Sequence, residues 1–335
     1  MNAADDARIE SPAREELLQR FPGLSDEELP FGAHEPIKEH LMREVARGDL
    51  VAVPRRVRRP LLLSIGVAAA ACAVAVALTM NGAGPGETVK AAPAEPAAVR
   101  LLDRLALAAA SSPGPSVRNG QFMYTKTVGH STALSEVPGG GMEASPTDES
   151  AERWLSVDGS AGVTTRTATG SGTRPPDGGL PSLNNPTYRF LETLPTDPDR
   201  LLELIYEDTR SQHGPGSGST TGPDQQAFVA IGDLLRGFEA PPGLSAALYR
   251  AAARIPGVVL VPESKDAAGR PGVAVAREHN HERTEWIFDK QTLRLLGARE
   301  VALRDSAWGK AGTVMTSVAI VDRGVTDLPG QLPTP

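Results

Sequence analysis

The sequence has almost no cysteine and few aromatic residues. Its 335 residues include one cysteine, Cys72, so no disulfide can form within the chain. Zinc sites built on two or more thiolates are excluded for the same reason. Aromatic residues make up only 4% of the chain, so a folded core must rely on aliphatic side chains, which bury less area per residue than rings.

Basic residues are fewer than acidic ones, with 34 Lys and Arg against 41 Asp and Glu. The net charge is −7, which gives no overall electrostatic reason to bind nucleic acid, so we expect no nucleic-acid partner. Glycine and proline are abundant instead, with 34 and 29 residues, and they predict long loops or linkers.

The sequence lacks the common catalytic and cofactor-binding motifs. It contains no nucleophile elbow, phosphate-binding loop or dinucleotide fingerprint. The acidic pairs Glu15-Glu16 and Glu27-Glu28 are sequence neighbours that diverge on a helix, so they cannot converge on a substrate. We therefore predict a protein that is not an enzyme, with no catalytic, cofactor-binding or metal-binding residues and no cofactor.

One pair of histidines has two interpretations. His279 and His281 would point the same way on a strand and could bind a metal ion, with Glu278 or Glu282 completing the ligands. The same segment falls at the tip of a predicted hairpin, where these side chains would be solvated turn residues. We favour the hairpin tip.

A long apolar run predicts one membrane-spanning helix. Residues 61–80 form a run of twenty residues without a charge, and a helix of that length spans about 30 Å, the thickness of the hydrocarbon core. A cleaved signal peptide, a lipoprotein anchored at Cys72 and a buried core helix are the alternatives. Roughly sixty residues precede the run, which is too many for an ordinary signal peptide.

Four arginines orient this span. Arg55, Arg56, Arg58 and Arg59 come directly before it, and no positive charge follows until Lys90. The positive-inside rule then places the N-terminus in the cytoplasm and the C-terminal part outside the membrane. The predicted organisation is a cytoplasmic segment (1–59), a transmembrane helix (60–80), a linker (81–96) and an extracytoplasmic domain (97–335).

The cytoplasmic segment contains one helix with an apolar stripe. Ile37, Leu41 and Val45 recur every four residues in the predicted helix over residues 36–47. This stripe could dock on a cytoplasmic protein partner. Alternatively, the segment packs on itself or on the membrane surface.

The extracytoplasmic part is predicted to be an antiparallel α+β domain. Helices are expected over residues 97–110, from Pro198, and over 224–238 and 244–255. Strands are expected over residues 121–128, 152–157, 162–169, 258–261, 273–277, 283–288, 293–303 and 313–322. Residues 130–150 and 171–187 are predicted loops. Grouped strands, rather than strands alternating with helices, favour an antiparallel sheet. Such a sheet would curve around the helices and leave an apolar concave face.

Several stretches resemble a known family. These are IKEHLMREV, LPTDPDRLLELI, ERTEWIFDKQTLRLLGAREV and the arginine-flanked span. They look like an uncharacterised family of single-span membrane proteins of high-GC bacteria, often encoded beside extracytoplasmic-function sigma factors. The order of elements is also similar to lipoprotein-carrier and sensor domains with a half-barrel fold.

The resemblance implies a membrane-anchored regulator or sensor. Its outer domain would sense a signal, and residues 1–59 would bind a partner such as a sigma factor, although they lack the Cys-x-x-Cys of zinc anti-sigma domains. The alternative is an extracytoplasmic module that binds a lipid or cell-envelope component without a regulatory role. Either function implies association with the membrane, and the binding module would hold a hydrophobic ligand on the concave face of the sheet.

Overall fold

The computed structural model describes residues 92–137, 140–176, 180–212 and 221–334. They belong to one compact unit. Its helices are α1 (Pro96–Ala110), α2 (Tyr188–Thr193), α3 (Pro198–Gln212), α4 (Pro223–Gly237) and α5 (Pro242–Ala252). Its strands are β1 (Phe122–Glu136), β2 (Met142–Asp148), β3 (Ala151–Ser156), β4 (Val163–Thr167), β5 (Gly170–Arg174), β6 (Val258–Lys265), β7 (Pro271–His279), β8 (Glu282–Phe288), β9 (Leu295–Ala302) and β10 (Val314–Thr326).

The strands form one large antiparallel sheet. Their order is β5-β4-β3-β1-β10-β9-β8-β7-β6, so the first and the last strand groups meet where β1 pairs with β10. Strand β1 is long enough to pair with β3 along its first half and with β2 along its second half. The protein is therefore α+β, as the grouping of strands predicted.

The helices pack on one side of the sheet, mainly over β6 to β9. Helix α5 contacts both α1 and α3, and α4 packs on α3. The buried core between the two layers is mostly Leu, Ile and Ala, with a few rings placed at its centre. Phe228 of α4 stacks on Trp286 of β8 with ring centroids 3.9 Å apart. Gly232, one turn further along α4, leaves the space that the Trp286 indole occupies.

Most elements agree with the sequence predictions. Asp197 caps α3, because its Oδ1 accepts the Arg200 backbone N–H at 2.9 Å. The five predicted C-terminal strands are all present, four of them longer than predicted and β9 shorter, and the hairpin around Asp158-Gly159 joins β3 to β4. Trp286 and Phe288 both face the helices, as their alternation in the sequence predicted.

Two predicted loops are wrong. Residues 130–150 are not a loop, because β1 continues to Glu136 and pairs with β2. Residues 171–187 likewise contain most of β5. Every residue of β2 and β5 is exposed, so neither strand has the apolar alternation that a sequence pattern can detect. Both are held by backbone pairing with a neighbouring strand.

A short helix was also missed. Helix α2 begins after Thr187, whose hydroxyl oxygen accepts the Phe190 backbone N–H at 3.1 Å. The order of elements is therefore α, five β, four α and five β, rather than α, three β, three α and five β.

Several predictions fall outside the described residues. These are the cytoplasmic helices, the transmembrane helix with Cys72, and most of the linker. In the ranges that the structure does describe, no helix has both the length and the apolar character needed to cross a bilayer.

The other side of the sheet buries a charged cluster around Glu285. Its carboxylate is fully buried and accepts hydrogen bonds from Arg283 at 2.8 Å, Arg299 at 2.8 Å and Ser264 at 2.6 Å. Burial alone would raise the pKa of Glu285, but the hydrogen bonds from Arg299 and Ser264 and the arginine charges hold it below its usual value. The ionised cluster therefore ties β6, β8 and β9 together.

Replacement of Glu285 by glutamine should destabilise the fold by about 3–5 kcal/mol, because two guanidinium groups lose their buried carboxylate. The folded-state pKa is lowered, so this stabilisation is present above the ordinary glutamate pKa of 4.5 and is lost as the pH falls through the lower, folded-state value. Urea unfolding across that pH range measures the free energy of unfolding. Acid should lower this free energy less in Glu285→Gln than in the wild type.

Glu278→Gln is the matched control. Glu278 lies 3.8 Å from the same Arg283, but its side chain is 54% exposed, so we expect a loss of at most about 1 kcal/mol. Equal effects of the two substitutions would contradict the importance of the buried cluster.

Candidate functional site

The sheet opens between β9 and β10. The two strands pair from Val301–Val314 as far as Gly297–Ala319, and no further. Each strand carries a bulge next to this last pair. Leu296 of β9 has no partner in β8, and Val321 of β10 has no partner in β1. Bulges bend a strand and end regular pairing. Together they turn β9 and β10 away from each other.

Gly297 is required at the point where the strands part. A Cβ atom there would lie 1.9 Å from the Val318 carbonyl oxygen, so only glycine permits this approach of the two backbones. The close contact lies directly beside the opening. It marks the last position at which β9 and β10 share a regular ladder.

Arg270 bridges the opening. Its Nη2 donates to the Leu296 carbonyl oxygen at 2.9 Å and to the Ile320 carbonyl oxygen at 2.8 Å, one on each separated strand. The guanidinium is held by Asp266, whose side chain is fully buried and accepts from Arg270 Nε at 2.7 Å. Arg270 thus satisfies backbone acceptors that the sheet no longer pairs.

The opening forms part of a cavity of about 820 Å³, which we call the strand-split cavity. Leu105 and Ala109 of α1 and Tyr249 of α5 line its helix side. Its sheet side includes Leu295, Leu296, Ile320 and Val321. Val321 is 48% exposed, so the cavity reaches solvent at the bulge of β10. Its volume lies within the range of about 300–1,000 Å³ typical of small-molecule sites.

Arg323 is a half-buried cation on the wall of the strand-split cavity. Its Nη2 donates to the carbonyl oxygens of Leu235 at 2.9 Å and Arg236 at 2.7 Å, at the end of α4. Its Nε is shielded from solvent and has no hydrogen-bond partner among the described residues. Burial lowers the pKa of Arg323 to about 10, so the group stays charged at neutral pH.

Tyr249 places a hydroxyl near this cation. Its ring packs edge-on against Phe288, with centroids 5.8 Å apart. Burial raises the pKa of Tyr249 to about 12, partly offset by the nearby charge of Arg323. The hydroxyl is therefore protonated at neutral pH and can donate a hydrogen bond.

The mouth of the cavity carries charges of both signs. Arg294 is exposed at the turn between β8 and β9, and Glu239 is exposed after α4. Asp289 lies in the same turn, where its Oδ1 accepts the backbone N–H groups of Gln291 and Thr292. These hydrogen bonds lower the pKa of Asp289 and use much of its accepting capacity.

The histidine pair lies at a hairpin tip, as predicted. His279 ends β7, and the turn before β8 consists of Asn280 and His281, both with positive φ, at 48° and 63°. His281 is therefore a turn residue and not a strand neighbour of His279. No group of three His, Cys, Asp or Glu side chains suited to a metal ion occurs in the ranges that the structure describes.

The residues of the strand-split cavity were not singled out from the sequence. Arg270 and Arg323 are 53 positions apart in numbering (323 − 270), and nothing local links them. A weak sequence signal is the charged pair Asp322-Arg323, which interrupts the apolar run of β10.

Comparison with models of known protein families finds no match to this chain, and comparison with curated protein sequences finds none either. The strand-split cavity must therefore be interpreted from its own chemistry.

Arg270→Met should lower the free energy of unfolding by about 3–5 kcal/mol, because it leaves the buried Asp266 carboxylate without its cation. Amide hydrogen exchange should rise most in β9 and β10 next to the opening. Arg304→Met is the control, since Arg304 is exposed and does not line the cavity. Unchanged exchange around Leu296 in Arg270→Met would contradict the bridging role.

Proposed function

We propose that the chain is a single-pass membrane sensor whose outer domain binds a hydrophobic ligand in the strand-split cavity. The observation that carries the proposal is the cavity itself, about 820 Å³ in volume, with a wall of apolar side chains beside charged and polar ones, and open to solvent at Val321. The predicted span over residues 61–80 and its four arginines support an extracytoplasmic position for the domain.

The regulatory part of the proposal concerns residues 1–59. The stripe of Ile37, Leu41 and Val45 provides a docking face for a cytoplasmic protein such as a sigma factor. An outer domain that binds a lipid or cell-envelope component without signalling is the second candidate. It is favoured by the fact that the cavity is built wholly from residues after the predicted span.

Ala109→Phe should reduce ligand binding. Ala109 lines the strand-split cavity from α1, so a phenyl ring there fills space that a ligand would use. The full-length protein is purified from its own membranes, extracted with organic solvent and analysed by mass spectrometry. We expect a hydrophobic molecule in the wild-type extract that is depleted several-fold in Ala109→Phe.

Ala110→Phe provides the control, because Ala110 is exposed and does not line the cavity. It adds the same ring at the next position and should leave the extract unchanged. Identical extracts from all three proteins would contradict ligand binding in the cavity.

Replacement of Ile37, Leu41 and Val45 by serine should abolish binding of the cytoplasmic partner. Tagged full-length protein is cross-linked in cells, and the attached proteins are identified by mass spectrometry. Serine at Lys38, Glu39 and Arg43 is the control, because these residues lie on the polar face of the same predicted helix.

We expect a sigma factor with the wild type and with the polar-face control, but not with the apolar-stripe variant. If none of the three proteins recovers a sigma factor, the regulatory role fails and the simple binding module is favoured.

A further inference from the structure

We propose that the ligand of the strand-split cavity is a single-chain amphiphile with an anionic head group, which Arg323 binds. The inference rests on the proposed function, because it assigns the chemical class of the ligand. A carboxylate or a phosphate monoester would supply the same negative charge.

The first argument is the unmatched charge of Arg323. Three other partly or fully buried arginines have carboxylate partners, since Arg299 and Arg283 contact Glu285 and Arg277 faces Asp224. Arg323 has no such ion pair within the described residues, and its Nε is shielded from solvent at the wall of the strand-split cavity. Burial of a cation without an anion is unfavourable, so an anion that enters the cavity gains an unusually strong interaction.

A role in capping α4 does not account for the whole side chain. Capping uses only Nη2, which donates to Leu235 and Arg236. Nε is shielded from solvent without an acceptor, and Nη1 makes no hydrogen bond to another described residue. The guanidinium therefore retains donors suited to the two oxygens of a carboxylate or phosphate.

The surroundings of Arg323 carry charges of both signs, and the unpartnered Nε of Arg323 itself is what favours an anion. The positive charges of Arg294 and Arg236 lie near enough to contribute to the lowering of the Arg323 pKa, although burial is the largest cause. Tyr249 adds a protonated hydroxyl on the same cavity wall. Glu239, Asp289 and Asp322 are the acidic lining residues that oppose this field. Glu239 and Asp322 are exposed to solvent, and Asp289 already accepts hydrogen bonds within its turn.

Part of the cavity suits a hydrocarbon chain. On the side that faces the helices the lining includes Leu293 and Leu295, just before and at the start of β9, and Leu105 on α1. None of these side chains can form a hydrogen bond. A head group at Arg323 would thus leave the alkyl chain beside these aliphatic side chains, where burial of each methylene is favourable.

The test uses the full-length protein in its native membranes with diazirine-bearing analogues of lauric acid, dodecanol and dodecylamine. Labelled peptides are mapped by mass spectrometry, and unlabelled laurate and dodecyl phosphate are the competitors. Arg323→Met removes the charge, and Arg323→Gln removes it while keeping an amide donor for the α4 carbonyls. Arg304→Met is the matched control outside the cavity.

We expect the acid analogue to label peptides of α1, β9 and β10 more than the alcohol or the amine does. Loss of one charged hydrogen-bond partner should lower acid labelling about tenfold in Arg323→Met and Arg323→Gln, with alcohol labelling retained. Arg304→Met should behave as the wild type. The stronger competitor identifies the head group as carboxylate or phosphate.

The acid and alcohol analogues could label the cavity equally, with no change in either Arg323 variant. That result would overturn the proposal of an anionic head group and leave a neutral hydrophobic ligand. Absence of cavity labelling by all three analogues would overturn ligand binding as well. If Arg323→Met fails to fold, the Arg323→Gln result and the acid-over-alcohol preference of the wild type decide the question.

Discussion

The separation of β9 from β10 is the feature on which the rest of the domain depends. A sheet stabilises its strands through continuous backbone pairing, so an opening inside it leaves polar groups without partners. Two bulges turn the strands apart next to Gly297, and the Arg270 guanidinium binds a carbonyl oxygen on each side. The opening is therefore compensated by one side chain and remains available to a ligand.

Charged side chains shielded from solvent have two kinds of surroundings in the described domain. On the side away from the helices, Glu285 is matched by two arginines and a serine, which makes the cluster a structural tie between strands. On the helix side, Arg323 has only carbonyl oxygens at the end of α4. The same kind of group stabilises the sheet where it is neutralised, and we propose that it binds a ligand where it is not. That contrast is why the two sides have different proposed roles.

Local patterns predicted the helices and the C-terminal strands well. Helix α4 carries buried Phe228, Ile231 and Leu235 at helical spacing, and β8 alternates Trp286 and Phe288 toward the core. Such periodicity exists because one face of each element is buried. Strands β2 and β5 have no buried face, so their sequences resemble loops although backbone pairing makes them strands. The strand-split cavity was missed for a related reason, because its lining comes from distant segments.

The sequence by itself determined the class of fold, the positions of the buried helix and strand faces, and a predicted membrane span outside the described residues. Each of these follows from the spacing of apolar and charged residues along a short stretch of chain. Tertiary structure alone decided where β9 and β10 separate, and it alone brought Arg270 and Arg323 to the resulting cavity. Bulge positions and the pairing of distant charges depend on which strands become neighbours, and that information lies in the register of the whole sheet.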